Sequence, residues 1–348
     1  MRFFICLCVI SKISATFADK KHPLFEYMQK IIAPIDKELI LSELTSDKRL
    51  RSTNKSGNEI YIITAHDSPQ TMLEIGRQRE IAFRHYGGGT GLSCDIDMFD
   101  TMENAYKQLI VWSPNEKEIL GGYRFLCGSD VKFDEQGKPM LATSHLFDFT
   151  DNFLNNYLPF TVELGRSYVS LDYQATLGRT KGIFILDNLW DGLGALPVID
   201  PSLKYFYGKV TMFNTYDPKA RDMILYFMKL HFPDNDNLVT PKYPLQTHTD
   251  ESTLKSLFPY TDYKENFKIL HQEVRKLGIN VPPLVNAYMS LSPKMRTFGT
   301  SLNEEFGNVE ETGILIDFNE IFEEKKKRHI ETFLKDANYD QMQIIKTR

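Results

Sequence analysis

The sequence GRQREIAFRHYGGGTGLSCDIDMFD, residues Gly76 to Asp100, joins a predicted helix to a cluster of carboxylates. In the helix, Arg79 and Phe83 are four residues apart and therefore share one face. The glycine run at 87–91, which includes Gly88 and Gly89, ends the helix because glycine adopts backbone angles that other residues avoid. The carboxylates that follow are Asp95, Asp97 and Asp100. This order indicates a site in which a mobile loop closes over a small charged substrate; the alternative is a helix C-cap followed by a solvated acidic loop.

A strand with the sequence GGYRF, residues 121–125, favours the functional interpretation. Paired glycines weaken a strand unless another group must approach its backbone closely. Arg124 lies in an otherwise apolar strand and needs a partner for its charge. The alternative is an edge strand with a solvated Arg124.

A second strand, ELGRSYV at 163–169, carries a carboxylate and a guanidinium three residues apart. In a regular strand Glu163 and Arg166 would point to opposite faces, and they share a face only if one residue forms a bulge. Gly165 is the natural position for that bulge. A bulge frees backbone N–H groups, and free N–H groups beside a buried carboxylate provide the oxyanion hole and base of acyl transfer. The alternative is a structural ion pair between Glu163 and Arg166.

The rest of the sequence mixes strand and helix patterns. We predict strands at 59–65, 106–112, 118–127, 158–171, 204–213, 284–291 and 312–318. We predict helices at 28–45, from Ser68, and at 183–199, 218–230, 263–277 and 320–334. We predict a loop at 48–58 and an irregular segment, here called the irregular excursion, at 233–262. We therefore expect a mixed α/β (α+β) domain at 59–335, with a central mixed sheet flanked by helices, a helical N-terminal extension at 28–58 and a tail at 336–348.

Composition limits the partners and the compartment. The net charge of −5 gives no general attraction to nucleic acid, so any basic surface must be local. The four cysteines have neither metal nor disulfide spacing, which fits a reducing compartment. Asp95 and Asp97 lack the histidine or spaced glutamate that would complete a metal site, so no metal is expected. Residues 1–27 are signal-like, but their apolar run from Phe3 to Ile10 is short; the alternative, which we favour, is an upstream extension of a chain that starts at Met28.

In order, these motifs resemble those of the acyl-homoserine-lactone synthases, which belong to the GNAT N-acyltransferase superfamily. Counterparts of that family's pattern occur at Arg79, Phe83, Asp97, Asp100, Arg124, Glu163 and Arg166. The chain is still more similar to bacterial amino-acid N-acyltransferases that make ornithine and glycine lipids, often labelled haemolysins. That likeness is carried by GGGTG, DIDMFD, QLIVW, ELGRSYV and the PPL segment at 282–284, and covers roughly 59–322.

The resemblance implies a GNAT fold, an acyl carrier protein thioester as donor and an α-amino acid as acceptor. Glu163 would take a proton from the acceptor's ammonium, and N–H groups near 165–169 would hold the oxyanion. Arg124 or Arg166 would bind the acceptor carboxylate. Arg79 with Asp97 and Asp100 would order the glycine loop over the acceptor. The other expected substrate-binding residues are Phe83, Gly88 and Gly89. Glycine and ornithine are both open, and glycine is favoured because no extra carboxylate pair is evident for a second ammonium.

The donor loop departs from the family pattern. The usual pyrophosphate loop of acyl-CoA enzymes is degenerate at 174–182, which favours a carrier-borne pantetheine with one phosphodiester over coenzyme A. The helix that follows could hold this phosphate at its N-terminus. The expected donor-binding residues are Val169, Gln174, Gly178, Arg179, Lys181 and Gly182. Because the carrier protein is acidic, a basic patch is expected from Arg179, Lys181, Lys204 and Lys209. No permanently bound cofactor is expected.

Three other functions stay open at this point. They are acyl-homoserine-lactone synthesis, O-acylation of a lysolipid, and a non-enzymatic haemolysin-like role. His231 and Asp236 have the spacing of glycerolipid O-acyltransferases, although their surrounding sequence is loop-like. A carrier protein donor implies a cytoplasmic enzyme, with peripheral association with the inner membrane.

We predict that a chain beginning at Met28 retains full acyltransferase activity. The reason is that acyl carrier protein is cytosolic, so an exported enzyme would lose its donor. Activity and thermal melting of the shortened and full-length chains test this. Collapse of folding on removal of residues 1–27 would contradict it.

Overall fold

The computed structural model describes residues 28–174 and 184–336 of the chain. The strands are β1 (Arg49–Ser52), β2 (Glu59–Ile63), β3 (Lys107–Ser113), β4 (Glu118–Cys127), β5 (Phe147–Phe149), β6 (Thr161–Val169), β7 (Tyr205–Met212), β8 (Val239–Pro241), β9 (Arg296–Asn303) and β10 (Val309–Asp317). The helices are α1 (Lys37–Glu43), α2 (Pro69–His85), α3 (Met98–Thr101), α4 (Ile185–Leu193), α5 (Leu196–Ile199), α6 (Pro218–His231), α7 (Glu251–Leu257), α8 (Tyr263–Lys276), α9 (Pro283–Met289), α10 (Glu323–His329) and α11 (Glu331–Asp336).

Eight strands form one mixed sheet in the order β1-β2-β3-β4-β6-β7-β10-β9. Neighbouring strands are antiparallel except β6 and β7, which run parallel. The connection between these two contains α4 and α5, because parallel neighbours need a long crossover. Strands β5 and β8 form a separate two-stranded ladder. The mixed α/β architecture predicted from the sequence is therefore confirmed.

The parallel pair β6–β7 is joined over only part of its length. The ladder pairs Thr161–Leu164 with Tyr205–Gly208. Strand β6 continues to Val169 and β7 to Met212, yet the described residues form no β6–β7 pair beyond Leu164. The centre of the sheet therefore opens into a split between these two strands.

The two faces of the sheet carry different side chains because successive residues of a strand point to opposite sides. One face packs against α4, α6, α8 and α9 in the largest apolar cluster, which includes Phe125, Val162 and Phe206. The other face contains two smaller apolar clusters, one of them built with α2. It also presents a line of polar side chains, here called the polar row: Gln108, Arg124, Glu163, Lys209 and Glu311.

The N-terminal part of the described chain differs from its prediction. The helix expected over 28–45 is confined to α1, and residues 28–36 have no helical structure. Instead, the N–H groups of Gln29 and Ile32 donate to the carbonyls of Gly91 and Ser93, at 2.9 and 3.0 Å. Backbone hydrogen bonds to the glycine loop therefore replace those of a helix. The loop expected over 48–58 contains β1, which pairs with β2 at the edge of the sheet.

The C-terminal part also differs in three places. Residues 284–291, predicted as a strand, lie largely in the helix α9, where Pro283 occupies the first turn and Val285, Tyr288 and Met289 are buried at helical spacing. Strand β9 was not predicted, because its sequence RTFGTSLN has little apolar alternation. The irregular excursion at 233–262 contains β8 and α7.

Two glycines allow the strands around the split to approach closely. A Cβ at Gly121 would lie 2.6 Å from the carbonyl oxygen of Tyr168, so the approach expected at GGYRF is that of the β6 backbone. A Cβ at Gly208 would lie 2.6 Å from the carbonyl oxygen of Leu164, at the last β6–β7 pair. Backbone atoms cannot move aside as a flexible side chain can.

We expect Gly208→Ala to lower the free energy of unfolding by about 1–3 kcal/mol, the usual cost of overpacking. Urea unfolding measures it. Gly165→Ala is the matched control, because a Cβ there would meet Arg124 side-chain atoms at an ordinary 3.5 Å. Equal stability of the two variants would show that the close approach at Gly208 is not a constraint.

Candidate functional site

A network of buried ion pairs covers the end of the polar row formed by Gln108 and Arg124. It joins three arginines from α2, β4 and β6 to three aspartates of the segment between α2 and β3. The members are Arg79, Arg124, Arg166, Asp95, Asp97 and Asp100. Five of the six are residues predicted to act in the site; the sixth, Asp95, was predicted only as a member of the carboxylate cluster. The acidic segment is therefore not the solvated loop of the alternative interpretation.

Arg79 anchors α2 to the sheet. Its side chain is fully buried, and its Nη1 lies 3.3 Å from both carboxylate oxygens of Asp100. Its Nη2 donates to the Oε1 of Gln108 on β3, and the Gln108 amide donates to Asp100 at 2.9 Å. Burial raises the pKa of Asp100, but the charges of Arg79 and Arg124 outweigh it and lower the pKa to about 2. Asp100 is therefore ionised at neutral pH.

Arg124 lies at the centre of the network. Its Nη1 lies 2.7 Å from Asp97 Oδ2 and 3.3 Å from Asp100 Oδ2. These carboxylates also form the capping box that begins α3: Asp97 accepts from the N–H of Asp100, and Asp100 from the N–H of Asp97. Burial lowers the pKa of Arg124, but Asp100 and Asp97 raise it above its ordinary value. These contacts all use Nη1, and it is burial, at 3% exposed, that makes Arg124 less accessible than Arg166 to an acceptor carboxylate.

Arg166 lies at the split and is less enclosed. Its Nε lies 2.9 Å from Asp95 Oδ2 and its Nη2 lies 3.5 Å from Asp97 Oδ2. Burial raises the pKa of Asp95, against the effect of Arg166. The Arg166 guanidinium carbon also lies 4.3 Å from the centre of the Phe306 ring, within cation–π range.

The predicted bulge exists, but one residue later than expected. Gly165 pairs with Arg124 in the ladder, and the register shifts between Arg124 and Gly122, where Arg166 and Ser167 oppose Tyr123. Arg166 itself has a φ of 48°, in the left-handed region that usually favours glycine. The bulge therefore aims the arginine, and glycine is not the bulged residue.

Glu163 is 2% exposed and lies on β6 beside the last parallel pairs. It accepts hydrogen bonds from the hydroxyl of Tyr106, from the N–H of Ala142 at 3.3 Å, and from both the N–H and the hydroxyl of Thr143 at 3.1 and 2.7 Å. Burial raises the pKa of Glu163, while Tyr106 and Thr143 act in the opposite direction. Within 28–174 and 184–336 it forms no ion pair with Arg166, so the alternative of a structural Glu163–Arg166 pair is wrong.

The glycine loop after α2 is fastened by a buried carboxylate. Glu80 accepts from the N–H and hydroxyl of Thr90 at 3.1 and 2.7 Å and from the N–H of Gly91 at 2.8 Å. Gly89 requires its lack of a side chain, since its φ is 99°. A Cβ at Gly88 would lie 2.9 Å from the Phe213 ring. Contrary to the expected mobile loop, this segment has fixed partners on both sides.

Phe83, at the end of α2, packs edge-on against Phe306 at a ring distance of 5.2 Å. Phe306 was not singled out in the sequence. It lies between Phe83, Arg166 and Lys209, whose Nζ is 6.0 Å from the ring centre. This aromatic pair therefore adjoins the charged network where the split opens.

The described part of the donor region consists of Val169 and Gln174. The amide of Gln174 donates to the carbonyl of Val169 at 2.9 Å, and its oxygen accepts from the hydroxyl of Tyr86, which stacks on Phe213. These contacts connect the end of β6 to the end of α2. The other predicted donor residues, Gly178, Arg179, Lys181 and Gly182, lie outside the described residues.

Several partners in the site were not predicted. Tyr106, Gln108 and Thr143 give no sequence signal beyond their residue type, since each becomes a partner only through the fold. Lys209 was expected in a surface basic patch, but it is paired with the buried Glu311, so that expectation is wrong for Lys209. Burial lowers the pKa of Lys209 and Glu311 raises it. Lys204, also expected in the patch, is exposed and lies over Phe160.

Two competing sites find no support in the described part of the chain. His231 contacts Asn266 at 3.0 Å, whereas Asp236 pairs with Arg296, so the two do not form a dyad. No group of three or more histidine, cysteine or acidic side chains in 28–174 and 184–336 is arranged to hold a metal ion.

Across the same residues, each helix is too short or too polar to span a membrane.

Comparisons with known proteins point to acyl transfer. The acetyltransferase (GNAT) domain family matches residues 78–180, which contain the second half of α2, the acidic segment, β3, β4 and β6. The chain is 63% identical over 308 residues to a glycine N(alpha)-acyltransferase of Phocaeicola vulgatus, covering 88% of this chain and 94% of that protein. It is 62% identical over 307 residues to a glycine N(alpha)-acyltransferase of Bacteroides thetaiotaomicron, covering 88% of this chain and 91% of that protein. No solved structure matches the chain significantly.

We expect Asp100→Asn to lower the free energy of unfolding by about 2–3 kcal/mol at neutral pH, and by progressively less as the pH falls. The folded pKa of Asp100 is about 2, below the ordinary value of about 3.9. Its contribution is therefore complete above the unfolded pKa and is lost between about pH 5 and pH 2.

Urea unfolding of both proteins from pH 7 to pH 3 measures this difference. The control is Asp151→Asn at an exposed position, which should change stability by less than about 0.5 kcal/mol. A deficit for Asp100→Asn that stays constant with pH would contradict the role of its charge.

Proposed function

The chain belongs to the GNAT-superfamily amino-acid N-acyltransferases, and on that premise we propose that it transfers a fatty acyl group from acyl carrier protein to the amine of glycine. The observation that carries this proposal is the identity of 62–63% to two glycine N(alpha)-acyltransferases over more than nine-tenths of their lengths. The buried Glu163 carboxylate and the split between β6 and β7 support the proposal.

In the proposed reaction the acceptor's amine attacks the thioester carbonyl, forming an amide bond and releasing the pantetheine thiol. A free amino acid is mainly in the ammonium form near neutral pH, so it must first lose a proton. Glu163 is the candidate base, because burial raises the pKa of its carboxyl toward the working pH. The proton reaches it directly or through a water molecule.

The split between β6 and β7 is the candidate position of the thioester. Residues 165–169 of β6 have no β7 partner among the described residues, so N–H groups on that side are not used in a ladder. N–H groups that face a developing oxyanion lower the barrier to acyl transfer. The bulge at Arg166 and Ser167 further disrupts the regular pattern next to the split.

Glycine fits the charge balance of the site better than ornithine does. The side-chain ammonium of ornithine would need a carboxylate of its own, one that is neither paired with a cation nor already accepting a full set of hydrogen bonds. In the described residues, Asp95, Asp97 and Asp100 are paired with arginines, Glu311 is paired with Lys209, and Glu163 accepts four hydrogen bonds. None of these described carboxylates is therefore left to bind a side-chain ammonium.

The proposed acyl donor and the proposed pathway are inferred from the sequence. The degenerate loop at 174–182 favours carrier-borne pantetheine over coenzyme A. The product would be an N-acyl amino acid, the first intermediate of an aminolipid. A cytosolic donor and a lipid product place the enzyme in the cytoplasm, with peripheral association with the inner membrane.

The purified full-length protein, incubated with fatty acyl carrier protein or fatty acyl-CoA and single amino acids, tests the proposal by mass spectrometry. We expect N-acylglycine to form, with acyl carrier protein as the better donor. Preference for ornithine would change the acceptor, and equal use of acyl-CoA would remove the carrier protein from the proposal. Lactone formed from S-adenosylmethionine, or acylation of a lysolipid with no amino-acid product, would replace the function altogether.

We expect Glu163→Gln to reduce kcat by about 10²–10⁴-fold, with little change in the donor KM and near-wild-type folding. The glutamine keeps the shape but cannot accept the proton. Wild-type kcat should rise with pH across a pKa above the ordinary glutamate value, because the base must be ionised. That rise should be absent in the variant. Single-turnover kinetics across pH measure both effects.

Glu310→Gln is the matched control, because Glu310 is also a buried carboxylate but pairs with Arg221, 2.6 Å away, outside the site. It should affect melting more than turnover. If Glu163→Gln lowered the melting temperature strongly while the folded fraction kept normal chemistry, Glu163 would be structural rather than catalytic.

A further inference from the structure

Lys209 lies on β7 at the point where the sheet splits. It follows Gly208, the last residue of β7 to pair with β6, and therefore stands where the split begins. Phe206 and Val210 on either side of it belong to the apolar cluster of α4 and α6, so Lys209 points to the opposite face, as Tyr207 does. Tyr207 is the register partner of Glu163. Lys209 and Glu163 thus face the same side of the sheet.

Arg166 is the first cation beyond the split on the other strand. It and Lys209 both lie over Phe306, at 4.3 and 6.0 Å from the ring centre. Phe306 is 6% exposed and is held in place because the next residue, Gly307, packs backbone against backbone: a Cβ there would lie 2.8 Å from the carbonyl oxygen of Gly87. Phe306 is therefore a buried ring that brings both cations into cation–π range of one position.

Both cations have donors to spare. A lysine ammonium has three N–H donors, and Lys209 is recorded with one acceptor, Glu311, in the described residues. Arg166 uses Nε and Nη2 for Asp95 and Asp97, and no acceptor for its Nη1 is found in 28–174 or 184–336. Arg124, by contrast, is enclosed by Asp97 and Asp100.

We propose that Lys209 and Arg166 together bind the carboxylate of the acceptor amino acid above Phe306, so that Lys209 determines the requirement for a carboxylate. The proposal rests on the proposed function and adds a specificity residue to it. Lys209 is two residues beyond the partner of Glu163, about 6–7 Å along the strand. A two-carbon amino acid with a hydrogen bond at each end can bridge that distance, which places its amine toward Glu163.

The competing explanation is that Lys209 only neutralises Glu311. Glu311 is fully buried and also accepts from the hydroxyl of Thr211 at 2.7 Å. Removing Lys209 alone would leave this carboxylate buried without a cation, and the variant could fail to fold for that reason. The test therefore needs a variant in which both charges are removed.

The experiment compares glycine with glycinamide, which has the same amine but no carboxylate. It uses the full chain and the fatty acyl carrier protein thioester on which wild type is active. In Lys209→Met we expect the KM for glycine to rise about 10–150-fold, the effect of losing a hydrogen bond between charged groups. The donor KM and the activity with glycinamide should change little. The preference for glycine over glycinamide should therefore fall by the same factor.

The double variant Lys209→Met/Glu311→Gln separates the two explanations, and Glu311→Gln alone is its control. If the double variant regains wild-type melting but keeps the raised KM and the lost preference, Lys209 binds the carboxylate. If melting and the preference for glycine both return, Lys209 only neutralises Glu311 and the inference is overturned. If wild type acylates no amino acid, the proposed function itself fails, which is a different outcome from an unchanged preference in an active enzyme.

Discussion

The structure depends on burying three guanidinium groups against the middle of a β-sheet. An isolated charge in such a position would cost many kcal/mol, so each arginine must have a carboxylate in place. The carboxylates come from one short segment, 95–100, which must therefore lie across β4 and β6. This requirement joins the helix α2, the acidic segment and two central strands into one rigid unit. Removing Asp100, for example, would leave Arg79 buried without its counter-charge.

The same network determines which groups remain available for a substrate. Arg79 and Arg124 are committed to Asp100 and Asp97, and their Nε atoms are buried without a hydrogen-bond partner in the described chain. They act as fixed positive charge that keeps Asp97 and Asp100 in position. Arg166 differs because the bulge swings it to the edge of the network, beside the split. The candidate site thus has an inner part, Arg79 and Arg124 with their carboxylates, and an outer part, Arg166, that borders the split.

Much of this could be predicted from the sequence. Strand-like composition located the central strands, and the resemblance to acyl-homoserine-lactone synthases marked the arginines and two of the aspartates as site residues. Local sequence could not show that Lys209 meets Glu311, 102 residues away, or that Tyr106 and Thr143 donate to Glu163. Such contacts arise from sheet order, which leaves no trace in short patterns. Residues 284–291 were misread as a strand because an aromatic and aliphatic run fits either period, and only burial of Val285, Tyr288 and Met289 decides for a helix.

The short parallel ladder has a consequence for how the chain folds. Strands β1, β2, β3, β4 and β6 form one antiparallel half of the sheet, β7, β10 and β9 form the other, and four residue pairs join them. Each half can gain most of its ladder without its counterpart, whereas the junction requires contacts between distant parts of the chain, which form slowly. The halves are therefore natural candidates for separate cooperative folding units. Glu163 and Arg166 belong to one half, and Lys209 and Glu311 to the other. Assembly of the two halves is thus the step that brings the candidate site residues together, and a chain arrested before it would contain all of them without forming the site.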